Sequence, residues 1–110
     1  MADKIVIYGL KNCDNCRKAM KAFPEAELCD VRLDGVPEAV LNQAFDRFGD
    51  SLLNTRSTTW RELDQAARGG APLDLTAQHP TLMKRPLIVV GGAYFLGWNK
   101  DVETGVAAAL

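Results

Sequence analysis

The sequence predicts an α/β domain in which helices pack on a mixed four-stranded sheet. The chain opens with a short β-branched strand pattern that gives way at once to helical periodicity. Its middle third reads as helix, and its last third holds two apolar strand patterns separated by a glycine pair, then a final helix. The order β-α-β, several helices, β-β-α lets two strand-containing halves share one sheet.

The first half of the chain predicts a strand, a helix and a second strand. Residues 4–9 are β-branched and aromatic and end at a glycine, which is typical of a buried strand. From Cys16, apolar residues recur at offsets of three, four and seven up to Phe23. The helix must end there because Pro24 follows. Residues 26–31 form the second predicted strand.

The remaining elements follow from capping and turn residues. Pro37 suits the first turn of a helix that Gly49 ends, and residues 59–62 have the spacing of a capping box. Asp74 is a candidate cap for a short helix. The predicted helices are residues 37–49, 59–69, 74–79 and 101–109, and residues 87–90 and 93–96 predict a hairpin with a glycine turn.

Composition narrows the functional class. A chain of 110 residues with 47% hydrophobic content is the size of one compact domain. Thirteen basic and fourteen acidic residues create no large field, so we expect no nucleic acid and no membrane as partner. The start is too short and acidic for a signal peptide, and three cysteines fit a disulfide-stapled secreted domain poorly. We therefore expect a cytoplasmic protein.

The candidate chemistry lies in the segment Cys13-Asp14-Asn15-Cys16, at the junction of the first strand and helix. Unpaired amides and the helix dipole favour negative charge there, so Cys13 should ionise readily and act as a nucleophile. Cys16 falls one turn inside the helix, where it can attack a mixed disulfide on Cys13 and resolve it. Lys11, Arg17 and Lys18 add positive potential, and Asp14 opposes it.

Two other interpretations of the cysteines are open but disfavoured. Structural zinc needs four ligands, and beyond the pair the chain offers only Cys29 and the lone His79. A pure packing role would make the placement between strand and helix a coincidence. Cys29 itself is expected to be a small core residue, and His79 a helix-end residue and not a base.

The dipeptide Arg85-Pro86 directly precedes the third strand pattern. A proline there lacks the backbone N–H that would donate a hydrogen bond to a neighbouring strand. In thioredoxin-like proteins, whose element order this chain shares, a cis-proline at this place lies beside the reactive cysteine. We therefore predict a cis Arg85-Pro86 bond. Arg85 would then stabilise a thiolate and hold an anion. The alternative is a solvated arginine at the end of a strand.

Three segments carry a family resemblance: residues 8–19 around the cysteine pair, residues 52–63 and residues 78–87. In this order and spacing they resemble the arsenate reductase-like (ArsC/Spx) family, and most closely its YffB-like branch, thought to use glutathione. The resemblance spans nearly the whole chain. It implies a single thioredoxin-like domain over residues 1–110, with a helical insertion at about residues 37–82.

The resemblance also implies that Cys13 is the nucleophile and Arg85 an anion-binding arginine. Cys16 is the expected resolving thiol because of its position in the helix. The expected lining of the substrate or anion pocket consists of Lys11, Asn12, Asp14, Asn15, Arg56 and Pro86, with backbone amides after Cys13 forming an anion-holding nest.

We expect a glutathione-linked thiol-disulfide reductase, monomeric, with glutathione as co-substrate and no metal or tightly bound cofactor. One alternative is a glutaredoxin-coupled arsenate reductase, for which glutaredoxin would be a protein partner. Family members that reduce arsenate use three arginines, and this chain has Asn54 at the first position and none at residues 96–98. The other alternative is an Spx-like redox sensor that binds RNA polymerase.

Overall fold

The computed structural model describes residues 4–54, 58–63 and 72–109. The chain divides into two compact units. The first unit consists of both ends of the chain, Met1–Val31 and Arg85–Leu110, and the second is the intervening Arg32–Lys84. The elements that surround the cysteine pair all belong to the first unit.

The first unit is built on a mixed four-stranded sheet, as the sequence predicts. The strands are β1 (Ile5–Gly9), β2 (Glu27–Asp30), β3 (Leu87–Val90) and β4 (Ala93–Leu96), in the spatial order β2-β1-β3-β4. Strand β2 runs parallel to β1, whereas β1 with β3 and β3 with β4 are antiparallel. The two parallel strands need a crossover connection, and the first helix supplies it.

The helices follow the predicted order, with one additional short helix, Val31–Asp34, after the second strand. They are α1 (Asp14–Ala22), α2 (Val31–Asp34), α3 (Glu38–Phe48), α4 (Thr58–Glu62), α5 (Pro72–Gln78) and α6 (Lys100–Ala109). Two 3₁₀ segments, Gly49–Leu52 and Pro80–Leu82, accompany these helices within the described residues. Within the described ranges, none of these helices has the length and apolarity needed to cross a bilayer.

The core of the first unit lies on one face of the sheet. Because side chains alternate along a strand, Ile5 and Ile7 of β1 share this face with Ile88 of β3. Helix α1 contributes Ala19 and helix α6 contributes Val106, and both are fully buried in the same cluster. Burying this apolar face fixes α1 on the sheet and thereby places its N-terminus at the end of β1.

The hairpin is observed at the predicted residues. Val90 pairs with Ala93, and Gly91 between them has φ 58°, in the left-handed region that glycine adopts without steric cost. After β4, the Gly97 amide donates to the carbonyl oxygen of Pro86 at 2.8 Å. This bond ties the segment before β3 to the segment after β4.

The second unit is mainly helical. Leu41 and Ala44 form the buried side of α3. The segment after the 3₁₀ turn lies against the segment before β3, because Leu53 and Met83 form an antiparallel bridge. On either side of that bridge, the Asn54 amide donates to the Leu82 oxygen and the Lys84 amide donates to the Leu52 oxygen, each at 2.7 Å.

Several predicted boundaries are corrected. Strand β2 ends at Asp30 because Val31, fully buried, already begins α2. Pro37 is the N-cap of α3 and does not lie in its first turn.

Two predicted helix caps lie inside their helices. Helix α4 starts at Thr58, so Thr59 does not cap it. Helix α5 starts at Pro72, a residue suited to a helix start because it lacks an N–H, and Asp74 lies in its first turn. The predicted continuation of the 59–69 helix beyond residue 63 lies outside the described residues.

Candidate active site

Cys13 occupies the N-cap of α1. Its backbone is extended, with φ −89° and ψ 125°, and its carbonyl oxygen accepts the first helical hydrogen bond from the Arg17 amide at 2.9 Å. Its own amide donates to the Leu10 oxygen at 3.2 Å, which closes a tight turn between strand and helix. The residue is half-buried. Its sulfur therefore stands at the helix end where backbone amides lack intrahelical partners.

Cys16 lies one turn further along α1 and is completely buried. Its thiol is hydrogen-bonded to the sulfur of Cys13. The structure holds both residues as free thiols, which is the reduced form of the pair. It thus brings together the two predicted reactive groups, one half-exposed and one shielded.

The environment of Cys16 strongly favours its protonated form. Burial is the largest effect, and together with the hydrogen bond and charge of Cys13 it raises the pKa of the Cys16 thiol to about 12. A backbone hydrogen bond from Leu10 and the positive charge of Arg85 act in the opposite direction and lower that pKa. At neutral pH the buried sulfur is therefore a thiol.

Gly9 makes room for the buried sulfur. It is the last residue of β1, and a Cβ built on it would overlap the Cys16 Sγ and lie 3.4 Å from the Cys16 Cβ. Sequence reasoning treated this glycine only as the end of a strand. Its second role depends on how closely α1 approaches the sheet, which no local pattern reveals.

The Arg85-Pro86 peptide bond is cis, which confirms the prediction. Pro86 is fully buried, and Arg85 is half-buried and so is not a fully solvated strand-end residue. The charge of Arg85 acts on Cys16, which places the guanidinium in the electrostatic environment of the pair.

The other predicted pocket residues are placed as follows. Lys11 and Asn12 are exposed in the turn before Cys13, and Asp14 and Asn15 are exposed in the first turn of α1. Arg56 lies outside the described residues.

The turn has one side-chain bond that sequence reasoning did not anticipate. The Arg17 Nε donates to the Lys11 oxygen at 3.0 Å. This bond holds the Arg17 guanidinium against the loop that precedes Cys13.

Cys29 and His79 take no part in the described pair. Cys29 is half-buried on β2 beside Tyr8, whose pKa is raised by burial first and then by the charges of Cys29, Tyr94 and Glu27. The His79 amide donates to the Leu75 oxygen at 2.8 Å, so His79 is a helix-end residue as predicted. No group of three metal-binding side chains occurs among the residues that the structure describes.

A cavity of about 390 Å³ adjoins the pair within the first unit. It is lined by Leu10, Lys11, Cys16, Arg17, Met20 and Leu28. Sequence reasoning missed it because Leu28 comes from β2, and only the packing of α1 against that strand creates the space.

Comparison with known proteins agrees with this arrangement. The model of the ArsC family matches residues 8–104. An uncharacterized protein of Haemophilus influenzae is 42% identical over 105 aligned positions, and the match covers 87% of this chain and 92% of that protein. The family match includes the cysteine pair, Arg85 and the hairpin.

Solved structures share the fold. A YFFB protein superimposes with a TM-score of 0.83 at 28% identity and covers 97% of this chain and 99% of its own. Arsenate reductase from Vibrio cholerae has a TM-score of 0.69 at 16% identity, with full coverage of both chains, and shows likeness of fold alone. With its thioredoxin-like sheet, the cysteine pair at the head of α1 and a family match over residues 8–104, the chain belongs to the ArsC family.

Proposed function

We propose that this chain is a glutathione-linked thiol-disulfide reductase of the cytoplasm, in which Cys13 attacks and Cys16 resolves. Membership of the ArsC family supports a thiol reductase. The observation that carries the proposal is the hydrogen-bonded sulfur pair, with Cys13 half-exposed at the helix N-cap and Cys16 buried one turn inside.

The first step is attack on a disulfide. The Cys13 thiolate attacks a sulfur of a glutathione-containing disulfide, and a Cys13–glutathione disulfide forms as the second thiolate leaves. Arg85 is the proposed partner of an anionic group on the glutathione half, and Asn12 is exposed in the turn before Cys13.

The second step uses the change that the first step brings to Cys16. Once Cys13 is in a disulfide, its sulfur carries no negative charge and no longer accepts the Cys16 hydrogen bond. Two of the effects that raise the Cys16 pKa are thereby removed. The Leu10 backbone bond and Arg85, which lower that pKa, remain. Loss of its proton to solvent lets Cys16 attack Cys13 and expel glutathione thiolate.

Glutathione then closes the cycle. Two glutathione molecules reduce the Cys13–Cys16 disulfide to the dithiol and become one glutathione disulfide. The two electrons that reduced the substrate are thereby returned to the protein, and no metal or bound cofactor takes part in the proposed cycle.

The direct test is glutathione-dependent reduction of hydroxyethyl disulfide by the purified protein, coupled to glutathione reductase. Cys13→Ser should abolish turnover, and Cys16→Ser should accumulate a glutathione adduct on Cys13 that mass spectrometry detects. Cys29→Ser is the matched control and should retain both turnover and adduct chemistry. Turnover that survives Cys13→Ser would rule out the proposed nucleophile.

Assays with the same purified protein would distinguish this function from two others. Glutathione-coupled turnover with arsenate as the oxidant would indicate an arsenate reductase, for which Arg85 beside the pair would serve as the oxyanion partner. Negligible turnover with every disulfide, together with an oxidation-dependent change in affinity for RNA polymerase, would indicate an Spx-like sensor.

A further inference from the structure

The cavity beside the reactive pair has walls of two different kinds. Leu10 and Met20 supply apolar surface from the loop and from α1, and Leu28 supplies it from β2. Cys16, which is completely buried, also lines the cavity. Lys11 and Arg17 also line the space, and both residues are exposed. Its volume of about 390 Å³ is within the usual range for small-molecule sites.

The two charged residues that line the cavity, Lys11 and Arg17, are both cations. The Arg17 Nε donates to the Lys11 oxygen, which holds the guanidinium beside the loop that lines the cavity. An occupant with an acidic group therefore finds opposite charge beside the cavity.

The cavity is also connected to the chemistry. Two of its residues, Leu10 and Lys11, directly precede the turn that holds Cys13, and Cys16 and Arg17 follow it. Cys16 is both a wall of the cavity and the hydrogen-bonding partner of the Cys13 sulfur. The cavity therefore shares one wall residue, Cys16, with the reactive pair.

We propose that this cavity binds the non-glutathione half of the substrate, and that this half is a small thiol whose apolar body carries a carboxylate. The apolar body enters between Leu10, Met20 and Leu28, and the carboxylate pairs with Lys11 and Arg17. This specificity rests on the proposed reductase function and adds a substrate class to it. Glutathione, which lacks an apolar body, pairs instead with Arg85, its proposed anion partner.

Aromatic disulfides provide a direct probe. The Cys13 thiolate attacks dithiobis(nitrobenzoate), a Cys13–aryl disulfide forms and one coloured aryl thiolate leaves; Cys16 then expels the second aryl thiolate and the pair becomes a disulfide. Dithiodipyridine undergoes the same two steps but has no carboxylate. The measured quantity is the ratio of the two rate constants for release of the first aryl thiolate, with the carboxylated reagent in the numerator.

Arg17→Gln and Lys11→Gln should each lower this ratio by roughly two- to fivefold, the effect expected for one partly exposed ion pair. Lys21→Gln removes a cation from the last turn of the same helix, outside the cavity, and is the matched control that should leave the ratio unchanged. A ratio that is equal in wild type and both cavity variants would overturn the proposal.

A competition measurement on the wild-type protein does not depend on the folding of any variant. Benzoate, which has the ring and the carboxylate but no sulfur, should slow the reaction with dithiobis(nitrobenzoate) at concentrations where benzamide does not. Equal effects of the two compounds, or none from either, would refute the site.

Failure of this site and failure of the reductase are separable outcomes. Glutathione-coupled turnover of hydroxyethyl disulfide without any preference for the carboxylated aromatic reagent overturns the cavity assignment alone. Absence of turnover with all three disulfides overturns the reductase, and the cavity proposal fails with it.

Discussion

The sulfur of Cys16 lies directly against Gly9, at a place where any β-carbon would overlap it. This contact joins the end of β1 to the first turn of α1, and it fixes how deeply the resolving thiol sits beneath Cys13. The glycine is buried and ends the strand, so the sheet offers little freedom to move away. The Cys16 sulfur can therefore lie here only because residue 9 is a glycine and has no side chain.

Replacing Gly9 with alanine should destabilise the protein by about 1–3 kcal/mol, the usual cost of overpacking a buried site. Denaturant unfolding monitored by circular dichroism measures this change. In a Cys16→Ala background the same substitution should cost much less, because the overlapping sulfur is gone. Equal costs in the two backgrounds would show that the Gly9–Cys16 contact is not the source.

The reduced protein should lose stability at alkaline pH through Cys16. Its folded-state pKa is raised from 9.0 to about 12, so the unfolded chain binds fewer protons in this window. The stabilisation that comes from keeping Cys16 protonated is complete below pH 9. It is lost as pH rises towards 12, at roughly 1 kcal/mol of unfolding free energy per pH unit. Unfolding free energies measured from pH 8 upward in reductant should show it.

Cys16→Ala provides the reference for this pH effect, since other groups also titrate above pH 9. Tyr8, whose pKa is raised by burial, contributes with the same sign in both proteins. The difference between the two stability curves should narrow or reverse with rising pH. Parallel curves would contradict the raised Cys16 pKa.

Removing the positive charge of Arg85 should delay closure of the disulfide. Arg85 lowers the Cys16 pKa, so Arg85→Gln should raise it further and move the onset of closure to higher pH. The measurement is the rate of glutathione release from a preformed Cys13–glutathione disulfide across a pH series. Arg85→Lys keeps the charge and should shift the onset less than the glutamine variant; the opposite order would exclude a charge effect.

The aromatic contact between Phe23 and Trp98 should contribute to stability beyond the area that the rings bury. Their centroids are 6.1 Å apart at an interplanar angle of 84°, an edge-to-face arrangement, and both pack on the core of the first unit. A double-mutant cycle with Phe23→Leu and Trp98→Leu should give a coupling free energy of about 0.5–1.5 kcal/mol in urea unfolding. Additive single effects would show that the contact is only shared burial.

The predicted elements that matched the structure best were those with two independent signals. The β3–β4 hairpin combined apolar strands with a glycine pair, and its bounds were predicted without error. The mixed four-stranded sheet and the cis Arg85-Pro86 bond were also confirmed. Single-residue signals were weaker: Asp74 was expected to cap a helix that in fact begins at Pro72, and Val31 was assigned to a strand although it starts α2.

The sequence by itself determined the reactive pair, because an N-cap position and a one-turn spacing are local properties of the segment from Cys13 to Cys16. It also determined the order of elements, since hydrophobic periodicity and the glycine and proline residues that end helices and strands are local features of the chain. Only the tertiary structure decided the depth of Cys16, the space that Gly9 leaves for it and the cavity that Leu28 completes. Those features depend on the distance between α1 and the sheet, which is set by packing among residues far apart in the chain.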